Sequence, residues 1–254
     1  QLNGVNIWRF PNGPVKDVSK IKRAINETLM SFNAWKALSS SIFKDTFDGV
    51  VYYSPSIFFG PLVNKIKKRC DCKSYLILRD LFPQWAIDAK MISEKSLITR
   101  YFRLFEWLNY KAANNIGLMS NKNLELFSQL HPQLKNTHVL FNWASAASIT
   151  AKNDNESIRI RLNLTDKVIF FYGGNIGHAQ DMKNLLNLAR GFKDLPKAHF
   201  LFIGQGDEVE LIESLFKKWS LQNVTILPAI TQYEFKRVLA EIDVGLFSLA
   251  KNHT

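Results

Sequence analysis

Short apolar runs alternate with amphipathic segments through residues 167–249, and this alternation constrains the fold more than any other feature of the chain. Apolar runs of that length are typical of buried strands, and the longer segments with apolar residues three or four apart are typical of helices. Strands and helices in strict alternation predict a parallel, doubly wound α/β sheet. The predicted strands are 167–172, 198–204, 223–227 and 243–249, and the predicted helices are 179–192, 207–220 and 231–242. In the last helix, Thr231 and Glu234 have the spacing of a capping box.

The first half of the chain is less regular but compatible with the same fold class. Strands are predicted at 47–54, 74–80, 115–120 and 137–145, and helices at 16–39, 59–69, 96–113 and 122–130. Residues 146–166 are polar and poorly periodic, which is typical of a linker. We therefore predict two α/β domains, residues 1–145 and 146–254.

Charge is distributed unevenly between the two halves. Residues 1–150 contain 20 Lys and Arg against 10 Asp and Glu, whereas residues 151–254 contain 13 against 12. A basic half favours an anionic partner such as nucleic acid, a phospholipid surface or a diphosphate-bearing substrate, although a solvated basic face without a partner gives the same composition.

Composition also excludes several classes of protein. A hydrophobic content of 46% with 22% charged residues indicates a globular chain, and no apolar run has the length of a membrane span. Cys70 and Cys72 form a C-x-C pair without a nearby histidine, so we predict two reduced thiols rather than a metal site.

The stretch 167–182, KVIFFYGGNIGHAQDM, places glycines between a predicted strand and a predicted helix. Gly173, Gly174 and Gly177 do not have the G-x-G-x-x-G spacing of a dinucleotide fingerprint, and no G-K-[ST] follows as a P-loop requires. Glycines let a ligand approach the backbone closely, and a helix N-terminus offers unpaired N–H groups to phosphate. Asn175, His178 and Gln180 add hydrogen-bond donors. A diphosphate cradle and a tight turn without a ligand both fit this stretch.

A second glycine loop, with Gly204 and Gly206, follows the next predicted strand, and residues 226–230 end the one after it. In a parallel sheet the carboxyl ends of adjacent strands face one crevice, so the two loops can contact one ligand. Arg79 and Asp80 likewise end a predicted strand of the first half, where an active-site pair and an ordinary surface ion pair are both compatible with the sequence.

Two interpretations also remain open for the predicted helix at 96–113. Its apolar residues have helical spacing and basic residues flank them. Such a helix packs against a core or, alternatively, lies on an anionic lipid surface.

Taken together, these segments resemble the family-four retaining glycosyltransferases of GT-B architecture, in which two Rossmann-like domains with parallel sheets face each other across a cleft. The resemblance rests on segments spread in matching order over nearly the whole chain. They are VVYYSPSIFFG (50–60), LRDLFPQWAID (78–88), HVLFNWAS (138–145), FYGGNIGHAQDMKNLL (171–186), FLFIGQGDE (200–208), NVTILP (223–228) and EIDVGLFSL (241–249). Within the family, the chain is most similar to the bacterial surface-polysaccharide branch, in particular to the N-acetyl-L-fucosamine transferase of O-antigen and capsule assembly.

The resemblance implies a role for each matching residue. The residues implied to contact the donor diphosphate are Gly173, Gly174, Asn175, Gly177, His178 and Gln180. Nucleotide contacts fall to Gly204, Gln205 and Gly206, with Leu227 and Pro228 flanking the base. Arg79 and Asp80 occupy the place of residues that face the transferred sugar or the acceptor, and Ser54 and Pro55 would lie on an acceptor-side loop.

Two departures from the family pattern are visible. Many relatives have an arginine and a lysine at the positions of Asn175 and Gln180, so neutralisation of the diphosphate would fall to backbone N–H groups, His178 or Lys183. The family's donor-sugar Glu motif would lie beyond Thr254, and the first strand with its glycine loop would precede Gln1. We therefore expect a chain truncated at both ends.

The expected function is transfer of a sugar from a nucleotide diphosphate donor, a UDP-sugar such as UDP-N-acetyl-L-fucosamine, to a polyprenyl-diphosphate-linked saccharide. No metal or other cofactor is expected, because the sequence has no Asp-x-Asp and no histidine cluster. The expected location is cytoplasmic, peripheral at the inner face of the bacterial plasma membrane and in contact with anionic lipid. Two alternatives are an inactive nucleotide-binding or interaction fragment and a GT-B nucleotide-sugar epimerase. Nucleic acid is not an expected partner, because no recognisable motif accompanies the basic half.

Overall fold

The chain folds as two compact units, Gln1–Ala144 and Ser145–Thr254. The computed structural model describes residues 4–15, 18–43, 46–54, 56–144 and 157–250. Each unit contains a four-stranded, entirely parallel sheet, which confirms the predicted α/β class. No helix in these described ranges has the length and apolar character needed to cross a membrane.

The first unit alternates strands and helices much as its sequence predicts. Its strands are β1 (Gly49–Ser54), β2 (Lys73–Leu78), β3 (Asn115–Leu118) and β4 (Thr137–Val139). Its helices are α1 (Lys20–Leu38), α2 (Gly60–Cys70), α3 (Gln84–Asp88), α4 (Leu97–Ala112) and α5 (Asn121–Leu130), and a 3₁₀ turn, Ile57–Phe59, precedes α2.

The strands of this first sheet lie in sequential order, β1-β2-β3-β4. Right-handed crossovers between strands in that order place the connecting helices on one face. Burial follows this rule. Tyr52 and Leu76 pack with residues of α2, α4 and α5, whereas Val51 and Tyr53, which point to the other face, are 68% and 54% exposed. We call the second face, which Val51, Tyr53, Tyr75, Ile77 and Arg79 share by their alternation along β1 and β2, the open face.

The second unit has a different strand order, β7-β6-β5-β8. Its strands are β5 (Val168–Asn175), β6 (Ala198–Gln205), β7 (Val224–Leu227) and β8 (Val244–Gly245). Its helices are α6 (Ile158–Arg161), α7 (Met182–Gly191), α8 (Val209–Lys218) and α9 (Gln232–Leu239), and a 3₁₀ turn, His178–Gln180, precedes α7. Numbered within the unit, the strand order is 3-2-1-4, which places crossovers on both sides of β5.

Both faces of the second sheet are therefore covered. On one face, Tyr172, Phe200 and Phe202 pack with residues of α7 and α8. On the other, a second core contains Phe171 and Leu201 with residues of α6 and α9. As a result β6 is buried from Ala198 to Gly204, in the continuous apolar pattern of a strand buried on both faces.

Details at the ends of elements differ from the sequence prediction in three places. The capping box of Thr231 and Glu234 is confirmed, but β8 has only two residues instead of seven. The glycine stretch leads into the 3₁₀ turn before α7 begins at Met182, so the predicted start of that helix at 179 was early. Part of the predicted linker is ordered, because Arg159 donates to the carboxylate of Asp243 at 2.6 Å and to the backbone oxygen of Glu241 at 2.7 Å.

Candidate functional site

The two glycine loops of the second unit lie side by side at the carboxyl edge of its sheet. Gly174 is paired in register with Gly204, and Asn175 with Gln205, at the ends of β5 and β6. The predicted juxtaposition of these loops is therefore confirmed.

Close packing between the loops explains why two of these positions are glycine. A Cβ atom added to Gly204 would lie 1.9 Å from the carbonyl oxygen of Gly174, and one added to Gly206 would lie 2.1 Å from that of Ile176. Both contacts are with backbone, which cannot move aside as a side chain can. The glycines therefore keep the two loops in contact, whether or not a ligand is bound.

A cavity of about 280 Å³ opens where these loops meet the end of β7. Its lining consists of Gly174, Asn175, Ile203, Gly204, Gln205, Ala229, Ile230 and Phe235. Four of the predicted donor-site residues are therefore brought together in one pocket. The lining is apolar on the side of Ile230 and Phe235 and polar at Asn175 and Gln205, as expected for a ligand with both an apolar ring and polar groups.

The cavity is lined by residues that lie slightly further along the chain than the two for which the resemblance implies contacts with the base. Leu227 is the last residue of β7 and packs in the core, and Pro228 is exposed, whereas Ala229 and Ile230 line the cavity. Strand β7 ends at Leu227, so the next residues turn toward the crevice. Phe235 was missed in the sequence. Its ring lies against Gly173 because α9 packs on that side of the sheet, a long-range contact without a local sequence signal.

Asn175 and Gln180, for which the resemblance implies contacts with the donor diphosphate, contact each other. Asn175 Nδ2 donates to Gln180 Oε1 at 3.0 Å. Tyr172 supports this arrangement by donating through its hydroxyl to the carbonyl oxygen of Asn175 at 2.5 Å, and burial raises the pKa of that hydroxyl. Because Gln180 accepts through Oε1, its Nε2 group can donate to a ligand. The pair therefore offers a neutral hydrogen-bond donor to a ligand, not a positive charge.

Negative side chains lie close to this neutral pair. His178 Nδ1 is 3.3 Å from Glu208 Oε1, and the His178 side chain is 91% exposed. Asp207 approaches Gly177, since a Cβ there would lie 2.9 Å from Asp207 Oδ1. The two carboxylates of Asp207 and Glu208 therefore lie on the same side as the glycine loop, and the hydrogen-bond donors nearest to them are the amides of Asn175 and Gln180.

Arg79 and Asp80 directly follow β2, but their side chains interact with different residues. Arg79 Nη1 donates to the carbonyl oxygen of Leu140 at 2.6 Å, and the guanidinium carbon lies 5.3 Å from the ring centre of Trp143. Asp80 affects the buried hydroxyl of Tyr110, whose pKa is raised well above its usual value by burial first, then by Glu106, with a smaller contribution from Asp80.

Of the two predicted acceptor-side residues, Ser54 has an unexpected position and Pro55 lies outside the described residues. Ser54 is the last residue of β1 rather than a loop residue, and it is fully buried. The strand continues this far because Ser54 pairs in register with Leu78 of β2. The hydroxyl of Ser54 is therefore not exposed at the surface of the first unit.

Helix α4 has an inverted distribution of polar and apolar residues. Its buried side chains include Glu106 and Asn109, whereas Leu97 is 80% exposed, Leu104 52% and Trp107 48%. Glu106 is accommodated by Arg103 at 2.9 Å and by His131 at 3.7 Å. The interpretation of this helix as purely core-facing is therefore wrong.

Helix α1 extends the exposed apolar surface of α4. Its apolar stripe of Ile21, Ile25, Leu29 and Phe32 is between 46% and 76% exposed. A hydrogen bond between the hydroxyls of Thr28 and Tyr101 joins the two helices. We call the surface formed by this stripe with Leu97, Ile98, Leu104 and Trp107 the α1–α4 apolar face. Exposed apolar residues on two neighbouring helices are candidates for an interaction site.

Within the described ranges, no group of three or more histidine, cysteine or acidic side chains is arranged to hold a metal ion. Cys70 and Cys72 are both free thiols.

The two parallel sheets match GT-B glycosyltransferase structures. One of them is HepE of Anabaena, solved in complex with UDP and glucose. The match covers 94% of this chain and 60% of the HepE chain, with a TM-score of 0.61 and a sequence identity of 14%. WaaG, a glycosyltransferase involved in lipopolysaccharide biosynthesis, matches 93% of this chain and 60% of its own with a TM-score of 0.58 at 12% identity.

Among curated proteins, the chain is similar to WcaI of Escherichia coli strain K12, a colanic acid biosynthesis glycosyl transferase. The two are 24% identical over 240 residues, which is 87% of this chain and 55% of WcaI. The chain thus spans about half the length of this relative. No family model matches the sequence.

Proposed function

We propose that the chain is part of a retaining glycosyltransferase of the family-four type, which moves a sugar from a nucleotide diphosphate donor to a lipid-linked saccharide. The donor is a UDP-sugar, with UDP-N-acetyl-L-fucosamine as the specific proposal, and the acceptor is a polyprenyl-diphosphate-linked saccharide of O-antigen or capsule assembly. The likeness to WcaI and to HepE with bound UDP supports this class.

The cavity at the carboxyl edge of the second sheet is the observation that carries the proposal. Ligands of open α/β sheets bind outside the carboxyl ends of the strands. The base would lie against Ala229, Ile230 and Phe235. The diphosphate would lie along the β5 glycine loop, within reach of the Asn175–Gln180 pair.

The chemistry would be front-side displacement at the anomeric carbon. The bond to the leaving UDP breaks as the acceptor hydroxyl forms the new glycosidic bond on the same face, and the leaving phosphate takes the hydroxyl proton. The loop donors stabilise the charge that develops on the diphosphate, which is the largest contribution in many enzymes. We propose that no metal is required for this step.

Calorimetric titration of the 254-residue chain with UDP tests the donor site. We expect saturable binding that Asn175→Ala weakens about 3- to 10-fold, as for loss of one or two hydrogen bonds. The matched control Asn187→Ala, on an exposed position of α7, should leave the affinity unchanged. Addition of EDTA should also leave it unchanged. Absence of UDP binding would contradict the proposal.

Product analysis with a UDP-sugar separates the remaining alternatives. An altered free sugar formed without acceptor would indicate an epimerase. UDP binding with no turnover in the presence of acceptor would indicate a binding fragment. Competition between UDP-N-acetyl-L-fucosamine and UDP-glucose tests the specific donor, and equal affinity for the two would reject that part of the proposal.

We further propose that the first unit binds the anionic cytoplasmic face of the plasma membrane through the α1–α4 apolar face. Helical spacing places Arg100 and Lys111 on the same side of α4 as Leu104 and Trp107, and the Lys111 ammonium lies 4.5 Å from the ring centre of Trp107. Apolar side chains beside lysine and arginine are suited to the headgroup boundary of an anionic bilayer.

Liposome flotation tests the membrane proposal. We expect binding to vesicles of phosphatidylglycerol with phosphatidylethanolamine and little binding to neutral phosphatidylcholine. Leu97→Ser combined with Leu104→Ser should reduce the bound fraction, whereas Trp143→Ala, outside this face, should not. Equal binding to both vesicle types, or to neither, would reject the proposal.

A further inference from the structure

An exposed tryptophan follows the last strand of the first sheet. Trp143 is 70% exposed, and Phe141, two residues earlier, is 63% exposed. Both follow β4, at the carboxyl edge where parallel sheets bind their ligands. Large aromatic side chains bury most of their surface in ordinary packing, so two exposed rings at this edge are candidates for ligand contact.

The guanidinium of Arg79 lies beside the indole ring of Trp143. The hydrogen bond from Arg79 Nη1 to the carbonyl oxygen of Leu140 fixes the guanidinium beside β4. The guanidinium carbon is then 5.3 Å from the centre of the Trp143 ring, within the range of a cation–π contact.

The other end of the guanidinium makes this contact stronger than a surface pair would be. Arg79 Nη2 is buried and has no hydrogen-bond partner among the described residues. A cation removed from water depends more on the π electrons beside it, so the interaction between Arg79 and Trp143 gains strength from this burial. We expect this contact to limit the orientations of the indole before a ligand binds, which would reduce the entropy lost on binding.

We propose that Trp143 is a stacking platform for a pyranose ring of the acceptor saccharide, with Arg79 as its positioning residue. The C–H groups on one face of a pyranose carry partial positive charge and match the negative face of an indole. This assignment rests on the proposed function for its acceptor role, but the binding of the sugar is testable by itself.

The residue before Trp143 favours a sugar over a lipid chain. Asn142 is exposed. Its amide can donate to and accept from sugar hydroxyl groups, whereas an acyl chain offers it no hydrogen bond.

Saturation-transfer NMR with methyl N-acetyl-β-D-glucosaminide and methyl α-D-glucopyranoside tests the platform. We expect binding of at least one of them to the 254-residue chain. Trp143→Ala should weaken it about 3- to 10-fold, the range for loss of one aromatic stacking contact. Trp143→Phe should retain part of the affinity. The matched control Trp107→Ala removes another exposed tryptophan with a cationic neighbour and should have no effect.

A second variant tests the positioning role. Arg79→Lys should move the indole N–H resonance of Trp143 and weaken sugar binding, while UDP affinity stays unchanged. Unchanged sugar affinity in Trp143→Ala, or absence of sugar binding by the unmodified chain, overturns the inference. If the unmodified chain binds the sugar but does not bind UDP, the proposed donor site is rejected and the proposed role of Trp143 is retained.

Discussion

The two parallel sheets of this protein have four strands each but differ in what covers them. The second sheet, ordered β7-β6-β5-β8, has a hydrophobic core on both faces. The first, ordered β1-β2-β3-β4, is covered on one face, and on its open face Val51 and Tyr53 are mostly exposed. Strand order alone accounts for the difference, because it decides whether successive right-handed crossovers return to one face or alternate between two.

This difference bears on the ligand each carboxyl edge can bind. In the second sheet, the tightly packed glycine loops, the residues that follow β7 and Phe235 of α9 line an open cavity of about 280 Å³. At the edge of the first sheet, Arg79 and Trp143 present an aromatic surface to solvent. In the functions proposed above, the concave cavity receives the nucleotide, whereas the exposed platform receives a saccharide that extends into solution.

The largest expected effect is on the free energy of unfolding, and it should differ between a residue on a covered face and a residue on the open face. Leu201→Ala removes a fully buried side chain of β6 and should lower the free energy of unfolding by about 2–5 kcal/mol. Tyr53→Ala on the open face should cost only about 0.5 kcal/mol. Urea unfolding followed by circular dichroism measures both. Similar losses for the two variants would show that the open face is covered in solution.

Replacement of one strand glycine in each sheet by alanine compares how closely the backbone is packed in the two sheets. Gly204→Ala should cost about 1–3 kcal/mol, because its new Cβ overlaps the carbonyl oxygen of Gly174. Gly49→Ala in β1 places its Cβ 3.7 Å from the nearest backbone oxygen, so we expect no loss of stability. The same unfolding measurement applies, and UDP affinity should fall only in Gly204→Ala. An unperturbed Gly204→Ala variant would contradict the close approach of the loops.

The pH dependence of stability should reflect a histidine buried in the second sheet. Burial first, and then Lys167, lower the pKa of His199, whose Nε2 lies 2.8 Å from Thr225 Oγ1. The unfolded chain therefore binds this proton more readily than the folded chain. The stability that the neutral His199 side chain contributes to the fold is fully present above the pKa of histidine in the unfolded chain, about 6.5. This stability is lost as the pH falls below that value toward the pKa of His199 in the folded chain.

Replacement of His199 tests this assignment. His199→Gln should flatten the loss of stability between pH 7 and pH 5 in thermal unfolding curves. His138→Gln, at an exposed position of β4, is the matched control. An unchanged pH dependence in His199→Gln would show that another group is responsible.

The smallest expected effect concerns charge at the donor site. Gln180→Lys restores a cation beside the diphosphate and should tighten UDP binding about 2- to 5-fold at low salt, with the gain reduced at high salt by screening. Gln232→Lys, at the start of α9, adds the same charge outside the cavity and controls for net charge. Weaker UDP binding in Gln180→Lys at low salt would contradict the placement of the diphosphate beside this pair.

Much of the fold could be predicted because it depends on local pattern. The apolar runs at 167–172 and 198–204 predicted β5 and β6, and parallel pairing then predicted that their glycine loops would meet. Long-range packing could not be predicted. The contact of Phe235 with Gly173 depends on the path of α9, and the exposure of Leu97 and Leu104 depends on which side of α4 faces the sheet. Helical periodicity indicates an apolar side but does not determine what covers it.

The central claim is that the carboxyl edge of the second sheet binds the nucleotide diphosphate while that of the first sheet does not. Titration of ¹⁵N-labelled chain with UDP, followed by amide resonances, tests it directly. We predict saturable shifts at Gly174, Gly204 and Phe235, with the amides of Arg79 and Trp143 unchanged. Shifts confined to Arg79 and Trp143, with the glycine loops unaffected, would contradict it.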